Sequence, residues 1–371
     1  MRALVTGGAG FIGSHLVEAL LEQGIEVVVL DSLEERVHGK SPTVQLPSKA
    51  SLITADVRSK SSWETALRGV DWVFHQAAYQ DYMPDFSRFF HTNVVGTALM
   101  YEVIAEHRLP VRKIVVASSQ AVYGEGQYRC AEHGLVLPPA RSAEQMKRGE
   151  WELQCPVCHS EMRPELLAET HTNPCNPYAM SKYAQETAAI RLGQRIGVPT
   201  VALRYSIVQG ARQSPLNTYS GICRIFTLRL MNGKPPLIYE DGNQLRDYCH
   251  VSDVVRANLM VAGDSRADFQ AFNVGGGHGT TVREYAAELS RIIGIDLSPE
   301  IPGKYRVGDN RHSVSSIDRI GALGWVPSKG LQEAISDYWE WLRTSGAKAG
   351  LDLSAEREME RSGVVCEAAV N

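Results

Sequence analysis

The 371-residue chain has no surplus of charge of either sign: 38 Lys and Arg stand against 42 Asp and Glu, a formal net charge of −4. Without a basic surplus there is no electrostatic footprint for a nucleic-acid backbone or an anionic membrane surface. Nucleic acid and membrane are therefore excluded as partners, and small ligands are expected. No uninterrupted apolar run is long enough to span a bilayer, and Met1-Arg2 leads into a strand-like segment without an apolar signal region. The expected location is cytoplasmic. Cysteine is sparse, and its seven residues are an odd number that does not suit a disulfide framework. Two of them lie as Cys155-x-x-Cys158, a spacing that in a reducing compartment points to metal. No internal repeat is evident. The length allows a large core, with room for one big lobe and a smaller one.

What is present is organised around Val5-Thr6-Gly7-Gly8-Ala9-Gly10-Phe11-Ile12-Gly13. An apolar run, Ala3-Leu4-Val5, precedes it, and Ile12, Leu16, Val17, Leu20 and Leu21 follow at the spacing of one buried helical face. A strand therefore turns directly into a helix. Gly7, Gly10 and Gly13 allow a tight turn, close approach to a pyrophosphate and packing of helix on strand, while the helix N-terminus presents free N–H groups to the anion. The turn reads as a dinucleotide cradle. Gly24 suits the helix end, Val27-Val28-Val29-Leu30 is a continuous strand, and Asp31 stands where an acidic residue hydrogen-bonds the adenosine ribose. Its charge would repel a 2′-phosphate, which favours NAD over NADP, although Arg36 lies near enough to soften the argument.

Further strand-like runs at Leu52–Thr54, Trp72–Phe74, Ile114–Val116, Val201–Leu203 and Ala271–Val274 alternate with amphipathic stretches, the pattern of a parallel, doubly wound sheet. The fold class is α/β: a Rossmann-type sheet with a smaller C-terminal substrate lobe and a zinc-ribbon-like insertion. The cofactor domain is expected over 1–204 plus 247–277, the cysteine-rich insertion over 125–172 within it, the second lobe over 205–246 plus 278–345, and a mobile or peripheral tail over 346–371. Ligands in such sheets sit beyond the carboxyl ends of the strands. That singles out Asp56-Val57, Gln76-Ala77-Ala78 and Ser118-Ser119.

Tyr178 and Lys182 lie four residues apart, one turn of a helix, with Pro177 suited to its first turn. A free phenol has a pKa of about 10, and lowering it by about 3 units needs roughly 4 kcal/mol of preferential stabilisation of the phenolate. Lys182 together with the positive nicotinamide of an oxidised cofactor would supply it. Ser119 can donate to a substrate hydroxyl or to the carbonyl it becomes.

Together with Ser118-Ser119-Gln120-Ala121-Val122-Tyr123-Gly124, Asn176-Pro177-Tyr178, Arg246-Asp247-Tyr248 and His250-Val251-Ser252-Asp253-Val254, these residues resemble the extended short-chain dehydrogenase/reductases of the nucleotide-sugar epimerase and dehydratase family, over roughly Met1 to Leu342. The resemblance implies a catalytic triad of Ser119, Tyr178 and Lys182. It implies an NAD site lined by Gly7, Gly10, Phe11, Ile12, Gly13, Asp31, Asp56, Val57, Gln76, Ala77, Ala78, Asn93, Tyr178, Lys182 and Tyr205. It also implies homodimers through a four-helix bundle that includes the Tyr178 helix. Substrate contacts carried over by position are Ser119, Gln120, Asn217, Arg246, Arg306, Asp309 and Arg311, with the arginines placed to grip a nucleotide diphosphate.

Two departures narrow the activity. Family dehydratases carry an Asp-Glu pair where this chain has Gln120-Ala121, which argues against dehydration, and the usual Arg-Tyr-Phe-Asn run appears as Arg204-Tyr205-Ser206-Ile207. Cys130-x-x-His133 and Cys155-x-x-Cys158 form two ligand pairs with a zinc-ribbon spacer, suited to a closed, tetrahedral, structural zinc. His159 and His171 lie outside that set. A cysteine-bearing insertion at this place, with Tyr205-Ser206-Ile207-Val208-Gln209-Gly210 downstream, is most similar to the dTDP-L-rhamnose 4-epimerase-like group of the family. The expected activity is inversion of a hydroxyl carbon, C4, of a nucleotide-diphosphate sugar. The rivals are net oxidation or reduction, decarboxylation or C5 chemistry on the same scaffold, and a non-catalytic NAD-binding sensor.

Overall fold

The structure is a computed structural model that describes residues 1–39, 46–81, 83–217, 221–345 and 354–369. Seven parallel strands form its main sheet: β1 (Arg2–Thr6), β2 (Glu26–Asp31), β3 (Ser51–Thr54), β4 (Trp72–His75), β5 (Lys113–Ser119), β6 (Thr200–Tyr205) and β7 (Ala271–Val274), in the order β7-β6-β5-β4-β1-β2-β3. Each apolar run read from the sequence is one of them. The central strands are apolar along their length because helices cover both faces. On one face Leu16, Val17 and Leu20 of α1 (Phe11–Glu22) pack beside Val254, Ala257 and Val261. On the other, Trp63, Met100, Val103 and Ala189 do the same.

Strand order reverses between β1 and β4, because the chain winds outward to β3 and then crosses back. That is the switch point at which a doubly wound sheet opens a crevice, and it places Gly7 and Gln76 side by side at the two strand ends. Helix α2 (Pro177–Ile196) begins with Asn176, whose Oδ1 accepts from Ala179 N at 2.8 Å, and with Pro177 in its first turn. It ends at Gly197 in the left-handed conformation. No helix among the described residues is long and apolar enough to cross a membrane.

The second lobe has its own core, in which Phe226, Leu230, Tyr285, Leu289, Tyr338 and Leu342 of three helices meet. The insertion folds into a small antiparallel sheet of Tyr128–Cys130, Gly134–Val136 and Arg163–Pro164 with a one-turn helix, Ala143–Lys147. One expectation is corrected. The described part of the tail is not peripheral: it forms a helix, Ser354–Arg361, and a strand, Val365–Glu367, that pairs antiparallel with Lys304–Arg306. Val365 and Ala368 are buried there. A three-residue strand carries no sustained periodicity, so the composition of the segment concealed it.

Candidate active site

A single cleft of ≈ 860 Å³ runs from the glycine turn to the second lobe. Gly7, Gly10, Phe11, Ile12, Gly13, Asp31, Asp56, Val57, Gln76, Ala77, Ala78, Ser119, Gln120, Tyr178, Lys182 and Tyr205 line one part of it. Asn217, Arg246, Arg306 and Asp309 line the rest.

Gly7 has φ +67°, and a Cβ there would stand 2.8 Å from Ala77 N; one on Gly13 would fall on the Gly7 carbonyl oxygen. Only glycine brings the two strand ends and the helix this close. Gly10 begins α1 without a side-chain cap, which leaves the first N–H groups of the helix facing the cleft. Asp31 accepts from Ala9 N at 3.0 Å and Leu33 N at 2.9 Å, holding its carboxylate at the end of β2. Arg36 is drawn away onto Asp81 at 2.5 Å and Tyr79 Oη at 3.1 Å, so its charge is not offered to a 2′-phosphate. Burial alone would raise the Asp56 carboxyl, but the hydrogen bonds from Arg58 outweigh it and leave Asp56 below the usual carboxylate range.

His75 is fully buried at the end of β4, between Thr6 Oγ1 at 2.7 Å and Thr97 Oγ1 at 2.9 Å. Proton accounting fixes its state. Thr97 Oγ1 donates to Asn93 O, and Gln185 Nε2 donates to Thr97, so the imidazole presents an Nε2–H to Thr97. Thr6 Oγ1 accepts from Ala77 N, so its proton points to an unprotonated Nδ1. Burial pushes His75 down to about 3, and the Lys182 charge adds to that. Through Thr97, this neutral ring joins the glycine turn to Gln185, the side chain that holds Lys182 Nζ.

Tyr178 and Ser119 both face the cleft. Ser119 Oγ accepts from Ala121 N at 3.1 Å and shares a hydrogen bond with the Tyr178 phenol. Gln80, to which no sequence signal pointed, donates to the same phenol at 2.6 Å. Burial raises the phenol above its ordinary value, and these two hydrogen bonds pull against it without overcoming it. Lys182 does not supply the difference: its Nζ donates to Ala117 O at 2.5 Å and Gln185 Oε1 at 2.6 Å, and burial brings it down to about 7. Tyr205 Oη reaches Gln76 Oε1 and Asn258 Oδ1, each at 3.1 Å, across the floor of the cleft.

Two expected contacts are corrected. Asn93 lies behind the cleft wall, where its Oδ1 accepts from Tyr79 N and its Nδ2 donates to Tyr79 O and Ser181 Oγ. It shapes the wall without lining it. Arg311 is fully buried and does not reach the cleft; its guanidinium is held by Glu152, Glu240 and Asp241 at 2.5 to 2.8 Å. Among the described residues Arg246 pairs with no carboxylate at the cleft: its acceptors are the neutral carbonyls of Leu245, Asn310 and Arg311. Arg306 stacks over the Tyr239 ring at 5.4 Å and pairs with Asp309 at 3.2 Å. Arg224 also lines the cleft from a buried position on an apolar helix. An arginine inside an apolar helical stretch was the signal for it.

In the insertion, the ligand atoms of Cys130, His133, Cys155 and Cys158 lie within 4.8 Å of one another. Cys130 Sγ is 3.5 Å from both His133 Nδ1 and Cys158 Sγ, and Cys155 Sγ is 3.6 Å from His133 Nδ1. A tetrahedron with sulfur at about 2.3 Å and nitrogen at about 2.0 Å from zinc has edges of roughly 3.5 to 3.8 Å. The geometry fits a metal.

A model of the NAD dependent epimerase/dehydratase family matches residues 3–142 and 156–275. The chain belongs to that family. The family match is interrupted over 143–155, inside the insertion. Among family members, the dTDP-L-rhamnose 4-epimerase of Burkholderia thailandensis is 31% identical over 348 residues, 92% of this chain and 94% of its own length. That agrees with the group to which the insertion pointed. The solved UDP-glucose 4-epimerase of Thermotoga maritima, in complex with UDP-glucose, superposes with a TM-score of 0.74 at 30% identity, over 93% of this chain and 99% of that one. The UDP-glucose 4-epimerase of Thermus thermophilus, in complex with NAD, does so with 0.73 at 31% identity, over 93% and 100%. The glycine turn of this epimerase-family chain, which side chains would block, fits the cofactor for which the family is named.

Proposed function

We propose that the protein inverts C4 of a nucleotide-diphosphate sugar through a transient keto sugar, with NAD as its resident cofactor. The observation that carries this is the position of Tyr178 and Ser119, in one cleft with the Gly7–Gly13 cradle at one end and Arg246 and Arg306 at the other. The residues from Gly7 to Gly13, with Asp31, Val57, Gln76 to Ala78 and Tyr205, would hold NAD. When bound, NAD supplies a hydride acceptor and the positive ring that helps to lower the phenol's pKa.

The chain's own groups do the rest. Tyr178 Oη takes the proton of the sugar hydroxyl, and Ser119 Oγ holds the oxygen as it becomes a carbonyl. Arg246 and Arg306 anchor the diphosphate, so that the sugar can turn over without leaving. A water-expelling acid and base are missing at Gln120-Ala121, which favours epimerisation over dehydration. The three relatives described above are 4-epimerases by name, which favours C4.

We place the enzyme in the cytoplasm, where the thiols of Cys130, Cys155 and Cys158 would stay reduced to hold, with His133, a structural zinc. The exposed apolar side chains Phe86, Phe90, Val95 and Met180, on and beside α2, suit the homodimer implied by the family.

The test is incubation with a panel of UDP-, dTDP-, GDP- and CDP-sugars in D₂O, with the products identified by NMR. The expected product is a C4 epimer without deuterium and without net change in NADH. Deuterium beside the carbonyl carbon would indicate C5-type chemistry, stoichiometric NADH a dehydrogenase, and no turnover of any sugar the sensor reading.

A further inference from the structure

The family resemblance ends near Leu342, yet residues beyond it reach the cleft. Met359, Ser362 and Val364 are among its lining residues, next to Arg306, Val307 and Asp309. The tail strand is the sole ladder partner of Lys304–Arg306 among the described residues, with Val365 opposite Arg306. Val307 N donates to Val364 O at 3.0 Å, which continues the pairing to the point where the chain enters the cleft. Lys304 pairs with Glu360 at 2.5 Å. Two further contacts fasten the tail: Ala368 N donates to Gly303 O at 3.1 Å, and Ala369 N donates to Lys147 O of the insertion at 2.8 Å. Met146 of the insertion, Tyr305 and Ala368 share a small apolar core.

From this we infer that the C-terminal segment 354–369 is a built wall of the nucleotide subsite, setting the Arg306 strand in register and covering the base of a bound nucleoside diphosphate. The inference rests on the nucleotide-sugar reading above and extends it. A nucleoside diphosphate has a charged diphosphate half and a nucleoside half whose base has flat faces that pack against apolar surface and polar edges that hydrogen-bond. Arg306, held against Tyr239, suits the charged half. Met359 and Val364, adjoining it, offer the apolar surface against which the flat faces of the base gain most by burial. Ser362, exposed at the same edge, donates its hydroxyl proton to Met359 O at 3.2 Å and leaves its oxygen lone pairs to accept from a base edge. The strand that carries Arg306 would lose its pairing partner if the tail were removed, so both halves of the ligand depend on one segment.

The test uses the NAD-loaded enzyme and titrates UDP and dTDP calorimetrically into the full chain, a chain ending at residue 353, and the double variant Met359→Ala/Val364→Ser. The double variant keeps the backbone ladder and guards against a truncated chain that folds poorly; bound NAD content checks the cofactor half in each. The expected result is at least tenfold weaker nucleoside diphosphate binding in both variants. The KM for the nucleotide sugar should rise in parallel, with kcat within threefold and NAD content unchanged. Equal affinity in the full chain and the double variant would overturn the inference and leave the epimerase reading standing. Failure of the full chain to bind any nucleoside diphosphate would overturn both.

Discussion

Gln80 Nε2 and Tyr178 Oη are joined by a hydrogen bond of 2.6 Å in which the amide can only donate to a phenolate. The phenol lies above its ordinary value because it is buried, and Gln80 is the leading group working in the opposite direction. Replacement by Leu removes that donor while keeping the bulk. The acid limb of the kcat/KM profile should then move to higher pH. Activity near pH 7 should fall roughly 10- to 100-fold, since a hydrogen bond to a charged group contributes about 1.5 to 3 kcal/mol. A pH–rate profile that superposes on that of the unaltered enzyme would show that the contact has no part in the proton transfer.

Tyr178→Phe removes the proposed proton acceptor without opening a cavity. Positioned proton transfer contributes about 10²- to 10⁴-fold, and a loss of that size is expected in kcat. Bound NAD should persist, because the glycine turn and Asp31 are untouched; extraction and absorbance of the cofactor check it.

Much of this site could be read from the residues alone, and the parts that could not share a cause. The glycine turn, the strand ends and the Tyr178–Lys182 turn are local features, and local spacing fixes them. Asn93, Arg311 and the tail depend on which partners arrive from far along the chain. Arg311 meets Glu152 and Glu240 across 159 and 71 residues, and nothing near Arg311 in sequence announces either. Motif position placed it at the phosphate; burial among carboxylates placed it elsewhere. Gln80 escaped for the same reason, since its partner lies 98 residues away.

His75 should make the fold sensitive to acid. Its pKa falls from 6.5 to about 3 on folding, so the unfolded chain binds the extra proton between those values. Its contribution is complete above pH 6.5 and is lost as pH falls toward 3, a loss on the order of 3 kcal/mol by pH 4.5 at about 1.4 kcal/mol per unit. His75→Gln can still donate to Thr97 but cannot titrate. Urea unfolding at pH 7 and pH 4.5 should show a smaller acid-induced loss in the variant, and an equal loss would assign the sensitivity to other groups.

The buried charges between insertion and second lobe make a separate prediction. Arg141 and Arg311 lie among Glu125, Glu152, Glu240 and Asp241, and burial holds Glu125 above its usual range in spite of Arg141. Arg311→Met strands these carboxylates, and breaking such a buried arrangement costs about 3 to 5 kcal/mol. Urea unfolding should register that loss. Phosphate affinity, measured with a nucleoside diphosphate under conditions where the variant stays folded, should change little, because the guanidinium does not face the cleft. A large affinity loss with unchanged stability would return Arg311 to the substrate site.

Metal removal should act through this same junction. The insertion's own core consists of Tyr128, Cys130, Leu153, Cys155 and Met162, so two of its five buried members are ligands of the proposed zinc. So small a core leaves the metal to supply most of the folding energy of the segment. Arg141 and Glu152 belong to that segment and carry its ion pairs to Glu240 and Arg311 of the second lobe, while Glu125, of the same segment, pairs with Arg141 and accepts from Arg311 N. The purified chain is expected to hold one zinc by elemental analysis, and Cys155→Ser to lose it. Cobalt in its place should show the intense visible bands of tetrahedral thiolate coordination. Stripping the metal with a chelator should lower the unfolding midpoint and raise the KM for nucleotide sugar while bound NAD is retained, because the cradle at Gly7–Gly13 is built from the glycine turn, the start of α1, and Gln76 and Ala77 at the end of β4. A chain that binds neither zinc nor cobalt, and whose stability is indifferent to Cys155→Ser, would leave the four side chains as a thiol-rich turn, with the ion pairs alone holding the insertion in place.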